Sequence, residues 1–225
     1  MRIGVLIPGH LRAWDYCKSN FLETVCDSEH EIFVFVDTYH QVYRSDYKLH
    51  DEYKMQRTMS YDEIKDSFSG INLVSLVVEN EKLGDASSKQ GRKILNCYNR
   101  FKQFEQKFGR FDLCIKTRTD ILLDQKLDYE RIKKEVTKFR RVIYIGDGIV
   151  RLRFQNDIFA ATNSETFEIY CERFLEYPDC VHQSMNYIRR EWGVEYNQTV
   201  GISIVRLGGE GKEVEHNGIK YKVFK

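Results

Sequence analysis

The chain has 225 residues, 42% of them hydrophobic and 31% charged, enough apolar material for one substantial core and too much for a disordered segment. Its 35 basic and 34 acidic side chains nearly cancel to a formal net charge of +1, so no basic excess exists to hold a phosphate backbone and nucleic acid is excluded as a default partner. Six cysteines form no C-x-x-C pair, and several fall inside apolar periodic segments; they read as buried free thiols, which points to a reducing, cytoplasmic setting.

In chain order, Ile3 to Pro8 is predicted as a buried strand that breaks at Pro8-Gly9. The apolar run here is too short for a signal peptide or a span, so no transmembrane segment is expected. A helix follows around Trp14 to Val25, then a second strand, Glu31 to Val36, closing at Asp37. From Tyr39 to Phe68 the chain is polar and Tyr-rich, and reads as loop plus a short helix. Ile71 to Val78 is a third strand. Ser87 or Ser88 can cap a long helix to about Phe108, with Cys97, Phe101, Phe104 and Phe108 on one face and Gly109 as its stop.

Phe111 to Thr117 is a fourth strand leading into Arg118-Thr119-Asp120. A charged helix near Tyr129 to Phe139 precedes a fifth strand, Val142 to Ile145. Thr162 to Glu165 has the form of a capping box before a helix carrying Phe167, Tyr170, Cys171 and Phe174. Val181, Met185, Ile188 and Trp192 repeat that spacing on another helix, and the last stretch reads as short strands or a hairpin around His216-Asn217-Gly218. Strands alternating with helices predict a single α/β domain over residues 1–225, a mostly parallel sheet flanked by helices on both faces. Ligands bind such sheets at the carboxyl ends of strands, which selects the loops Pro8 to Arg12, Asp37 to Tyr39 and Thr117 to Asp120.

An acidic residue closing an apolar strand is how a hard cation is presented to a diphosphate, so Asp120 is a candidate metal ligand, with Arg118 beside it as a planar donor to phosphate. The alternative is a turn-capping aspartate and a surface arginine. Asp157, between Asn156 and an apolar run, is either a general base for an acceptor hydroxyl or a turn residue. Gly146-Asp147-Gly148 reads as a permissive loop or a tight turn. Glu79-Asn80-Glu81 reads as a solvated loop, Asp62-Glu63 and the Arg131 to Arg141 cluster as solvated helix faces. His10, His40 and His182 are too scattered for a histidine metal motif, although His182 could add one ligand to a metal at Asp120. No dinucleotide, P-loop or nucleophile-elbow signature is present.

Four ordered segments, Ile7 to Arg12, Phe33 to Tyr39, Phe111 to Asp120 (preceded by the helix beginning at Gln90) and Phe154 to Tyr170, resemble a diffuse group of small glycosyltransferases. The group includes WavE-like proteins of surface-glycan synthesis and similar viral enzymes that glycosylate capsid proteins. The resemblance implies a GT-A, Rossmann-like fold that binds a nucleotide sugar with Mn²⁺ or Mg²⁺. By position, Asp120 resembles the last acid of a D-x-D motif. Pro8, Gly9, Arg12, Asp37, Thr38 and Gln90 would then line the nucleotide-sugar site, with Arg118 and Thr119 near the diphosphate. Asp157 resembles the carboxylate facing the acceptor in inverting members. Arg118 stands where the first acid of D-x-D would be, a departure from that pattern. The implied reaction moves a sugar from a nucleoside-diphosphate donor to a glycan or glycoprotein hydroxyl. A nucleotidyltransferase and a catalytically inactive nucleotide-sugar-binding module are the alternatives.

Overall fold

The computed structural model describes residues 1–43, 55–80, 86–139, 141–147, 158–173, 181–206, 212–216 and 219–224. Strand β1 (Arg2–Pro8) passes to helix α1 (Trp14–Thr24) and β2 (Glu31–Tyr39); a short pair, β3 (Gln41–Tyr43) and β4 (Met55–Thr58), precedes α2 (Tyr61–Ser67) and β5 (Leu73–Glu79). Helix α3 (Ala86–Phe108) leads to β6 (Leu113–Lys116), β7 (Ile121–Leu123), α4 (Tyr129–Lys138) and β8 (Val142–Asp147). Then come β9 (Ala160–Thr162), α5 (Ser164–Arg173), α6 (Val181–Trp192), β10 (Glu195–Arg206), β11 (Lys212–His216) and β12 (Ile219–Phe224).

The main sheet runs β11-β12-β10-β8-β9-β6-β1-β2-β5, with β7 paired to β10. β5, β2, β1 and β6 are parallel neighbours, β8 and β10 run with them, and β9 is reversed between β6 and β8. The predicted α/β architecture, a mostly parallel sheet flanked by helices in the Rossmann-like manner, is thus present. The two-residue side-chain period of the strands splits the core into two layers. Ile3, Val5, Ile7, Val34, Val36 and Ile115 pack toward Trp14 and Phe21 of α1, Ile64 of α2 and Ile132 and Val136 of α4. Leu6, Phe35 and Cys114 face the other way, onto Tyr98 and Phe101 of α3, Phe167 and Tyr170 of α5 and Ile188 of α6. Among the described residues no helix is long and apolar enough to cross a membrane.

Several local expectations are corrected. Between Tyr39 and Phe68, where residues 44–54 are outside the described residues, the expected short helix is present as α2, while β3 and β4 pair as strands where loop was expected. Tyr39 completes β2, and α2 opens on a capping box in which Ser60 Oγ accepts from the Glu63 amide at 3.2 Å while Glu63 accepts from the Ser60 amide at 2.6 Å. The predicted box at Thr162 to Glu165 is displaced by one residue: Thr162 belongs to β9 and gives its hydroxyl to the Val142 carbonyl. Asn163 does the capping instead, accepting from the Thr166 amide at 2.9 Å. The terminal strands β11 and β12 pair antiparallel, with His216 opposite Ile219, as the expected hairpin requires; Asn217 and Gly218 lie outside the described residues. Phe174 lies outside the described residues.

Candidate functional site

The chain goes from β1 to β2 on one side and later places β6 on the other, so the order reverses between β1 and β6. A crevice opens outside the carboxyl ends of strands at such a point. The loops after these two strands are tied together there. Thr119 Oγ1 donates to the His10 carbonyl at 2.7 Å and accepts from the Arg12 amide at 3.2 Å. Gly9 makes the turn off Pro8 with φ of 111°, a conformation that favours glycine, while its amide extends the β1–β2 ladder to the Asp37 carbonyl. The Thr117 amide extends the other ladder to the Leu6 carbonyl.

Asp120 lies under this junction. Its carboxylate is 1% exposed, and Arg118 forks onto it, Nε to Oδ1 at 2.8 Å and Nη2 to Oδ2 at 2.5 Å. Arg12 Nη1 is 3.5 Å from the same Oδ2. The two guanidinium side chains remain 27% (Arg12) and 18% (Arg118) exposed, so they stand between the buried carboxylate and solvent. The Cys17 thiol on α1 is pushed up by burial and then by the Asp120 charge.

Mn²⁺ or Mg²⁺ was the cofactor implied for Asp120. The described residues do not fit it. Both carboxylate oxygens already accept from Arg118, the group has almost no outward surface, and two guanidiniums beside it would repel a cation. Among the described residues no group of three or more His, Cys, Asp and Glu side chains could hold a metal ion. His182 belongs to α6, and its side chain is outside what is described.

Asp37 and Thr38, also expected at the nucleotide, sit on the next strand end and are buried. Asp37 turns toward α3. Its carboxylate is 0% exposed and takes Lys93 Nζ at 2.5 Å on one oxygen and Arg100 on the other. Lys93, 3% exposed, also donates to the Thr38 carbonyl at 3.1 Å and to Glu79 at 2.9 Å, so its three ammonium donors are all used. Thr38 Oγ1 is buried without a hydrogen-bond partner among the described residues. Glu79, read as a loop residue, is the last residue of β5 and a member of this cluster. Gln90 is on α3 one turn before Lys93 and partly exposed.

The clusters meet at Tyr39. His10 lies tilted against its ring with centroids 4.6 Å apart, and Lys93 Nζ lies 4.1 Å from the same centroid. Sequence reasoning missed Lys93 and Arg100, and reached His10 and Tyr39 only as members of the selected loops. A signal for the first two existed: Lys93, Cys97 and Arg100 follow helical spacing, which puts basic residues on the buried face of α3. Asp157 lies outside the described residues, as does Gly148; Asp147 closes β8. No protein-family model matches the chain, and no curated protein matches it.

Proposed function

We propose that this chain is a glycosyltransferase of GT-A type, moving a sugar from a nucleoside-diphosphate donor to the hydroxyl of a glycan or glycoprotein acceptor in the cytoplasm. The observation that carries the reading is the pair of partly exposed guanidiniums, Arg12 and Arg118, where the strand order reverses. Planar guanidinium donors suit the oxygens of a diphosphate, and oriented positive charge at a leaving group lowers the barrier to its departure. The buried ion cluster around Asp37 holds α3 against the neighbouring strand end, which makes that wall rigid.

In the reaction the acceptor oxygen bonds to the anomeric carbon as the bond from that carbon to the diphosphate oxygen breaks. The hydroxyl proton passes to a base, for which Asp157 is the candidate from the sequence resemblance, and the nucleoside diphosphate leaves with the bonding pair. Inversion at the anomeric carbon is part of the proposal.

A panel of nucleotide sugars tests it, with thermal shift to find the donor and release of free nucleoside diphosphate to show turnover. A donor that raises the melting temperature and is turned over supports the reading. A donor that binds without release leaves a binding module. Pyrophosphate release from a nucleoside triphosphate and a sugar phosphate identifies a nucleotidyltransferase instead. A panel with no shift and no release overturns the reading.

A further inference from the structure

We infer that the diphosphate is gripped directly by Arg12 and Arg118, with no divalent cation between it and the protein, and that Asp120 is a positioning residue aiming the two guanidiniums. This rests on the proposed function for the identity of the ligand, but its geometry is independent of it. Two guanidiniums converge on one buried carboxylate, and each keeps part of its side chain exposed beyond it. Arg118 meets Asp120 through its Nε and one terminal nitrogen, a fork that fixes the plane of the guanidinium. Arg12 is fixed from two directions, its backbone by the Thr119 hydroxyl and its head by Asp120. An aimed guanidinium loses little freedom on meeting an anion, which favours affinity. The sequence points the same way: an arginine occupies the position where a metal-binding pattern has its first acid.

Calorimetry with inorganic pyrophosphate as the probe, in EDTA and again in Mg²⁺ or Mn²⁺, tests the inference on the full chain. The expected result is binding in EDTA of undiminished affinity. Arg118→Ala and Arg12→Ala should each weaken it on the order of ten- to a hundredfold, the loss of one or two charge-assisted hydrogen bonds. Arg118→Lys should fall between wild type and Arg118→Ala, because charge without the fork no longer locks onto Asp120. Asp120→Asn should weaken pyrophosphate binding although it removes a negative charge, an outcome opposite to simple electrostatics. If Arg118→Ala fails to fold, Arg12→Ala, at the more exposed position, decides.

Binding seen only with Mg²⁺ or Mn²⁺ overturns this inference and leaves the glycosyltransferase reading standing. Tighter binding by Asp120→Asn overturns the positioning role. No binding in either buffer overturns the clamp, and with a silent donor panel it removes the function reading as well.

Discussion

Lys93 and Asp37 meet at 2.5 Å where neither reaches solvent, and the contact joins the middle of α3 to the carboxyl end of β2. Removing one partner of a buried pair leaves the other charge unpaired, which is far more damaging than replacing both. Asp37→Ala takes the shared carboxylate from two cations, Arg100 and Lys93, and leaves Lys93 with only Glu79 and the Thr38 carbonyl. It should destabilise the fold by about 3–5 kcal/mol in urea denaturation. Pairing it with Lys93→Met should cost less than the sum of the two single changes, since the double variant removes one of those cations. A loss below ~1 kcal/mol for Asp37→Ala, the scale of an exposed pair, would show that the cluster is open to water.

The Thr119 hydroxyl joins the loop after β1 to the loop after β6, donating to the His10 carbonyl and accepting from the Arg12 amide. Thr119→Val keeps the shape and leaves the His10 carbonyl and Arg12 amide without it. These two groups keep their own hydrogen bond at 3.1 Å, so the cost expected is that of ordinary hydrogen bonds, about 0.5–1.5 kcal/mol each. Thr119→Ser should stay near wild type. On the proposed function, Thr119→Val also raises donor KM more than it lowers kcat, because Arg12 is displaced from the ground-state complex as well as from the transition state. Equal melting temperatures for the Val and Ser variants would mean that the loops are held by other contacts.

The alternation of strands and helices was legible because parallel strands buried on both faces read as continuous apolar runs, as in Ile3 to Pro8 and Glu31 to Val36. β9 was not. Ala160, Ala161 and Thr162 carry no period of their own, and only β6 and β8 on either side make them a strand. The same distinction runs through the site. Asp120 was found by its place after an apolar strand, but its environment depends on Arg12 arriving from a loop distant in sequence. Its place at a strand end left a metal ligand and a turn-capping aspartate both open, and the resemblance favoured the ligand, while the fold makes it a buried anchor for arginines. The Lys93 cluster failed to show for a related reason: its acceptors come from β2 and β5, and its cations from α3.

Acid should loosen one corner of the sheet first. Asp112, at the entrance to β6, accepts from Lys133 of α4 at 2.8 Å and from the Arg2 amide of β1 at 2.9 Å. The Lys133 hydrogen bond holds its carboxyl below the ordinary aspartate value, with the Arg2 amide adding to this against an opposing effect of burial. A depressed folded value means that the stabilisation is complete above the unfolded-state pKa of about 4. It is lost as pH falls from there through the folded value. Wild type should therefore exceed Asp112→Asn in stability at neutral pH, and the gap should narrow below about pH 4. A gap constant down to the acid transition would detach this carboxylate from the pH dependence.

Gly4 makes the sharpest steric demand in the core. It sits in the central strand β1, and a Cβ built on it would overlap the Phe101 ring and lie 2.8 Å from Phe111 Cδ2. Those rings, 4.7 Å apart by centroid, belong to the aromatic layer that seats α3 on the sheet. Gly4→Ala cannot be absorbed by one side chain swinging to solvent, because Phe101 is fully buried. The added methyl must move α3 or strain a rotamer, and overpacking of this kind costs roughly 1–3 kcal/mol. Phe101→Leu alone should also destabilise, by leaving a void. Combining the two should recover part of the loss, since the smaller side chain vacates the volume that the new methyl needs. Urea denaturation of the four proteins measures the coupling. Strict additivity would show that Phe101 is not what excludes a side chain at position 4, and that the glycine serves the strand in some other way.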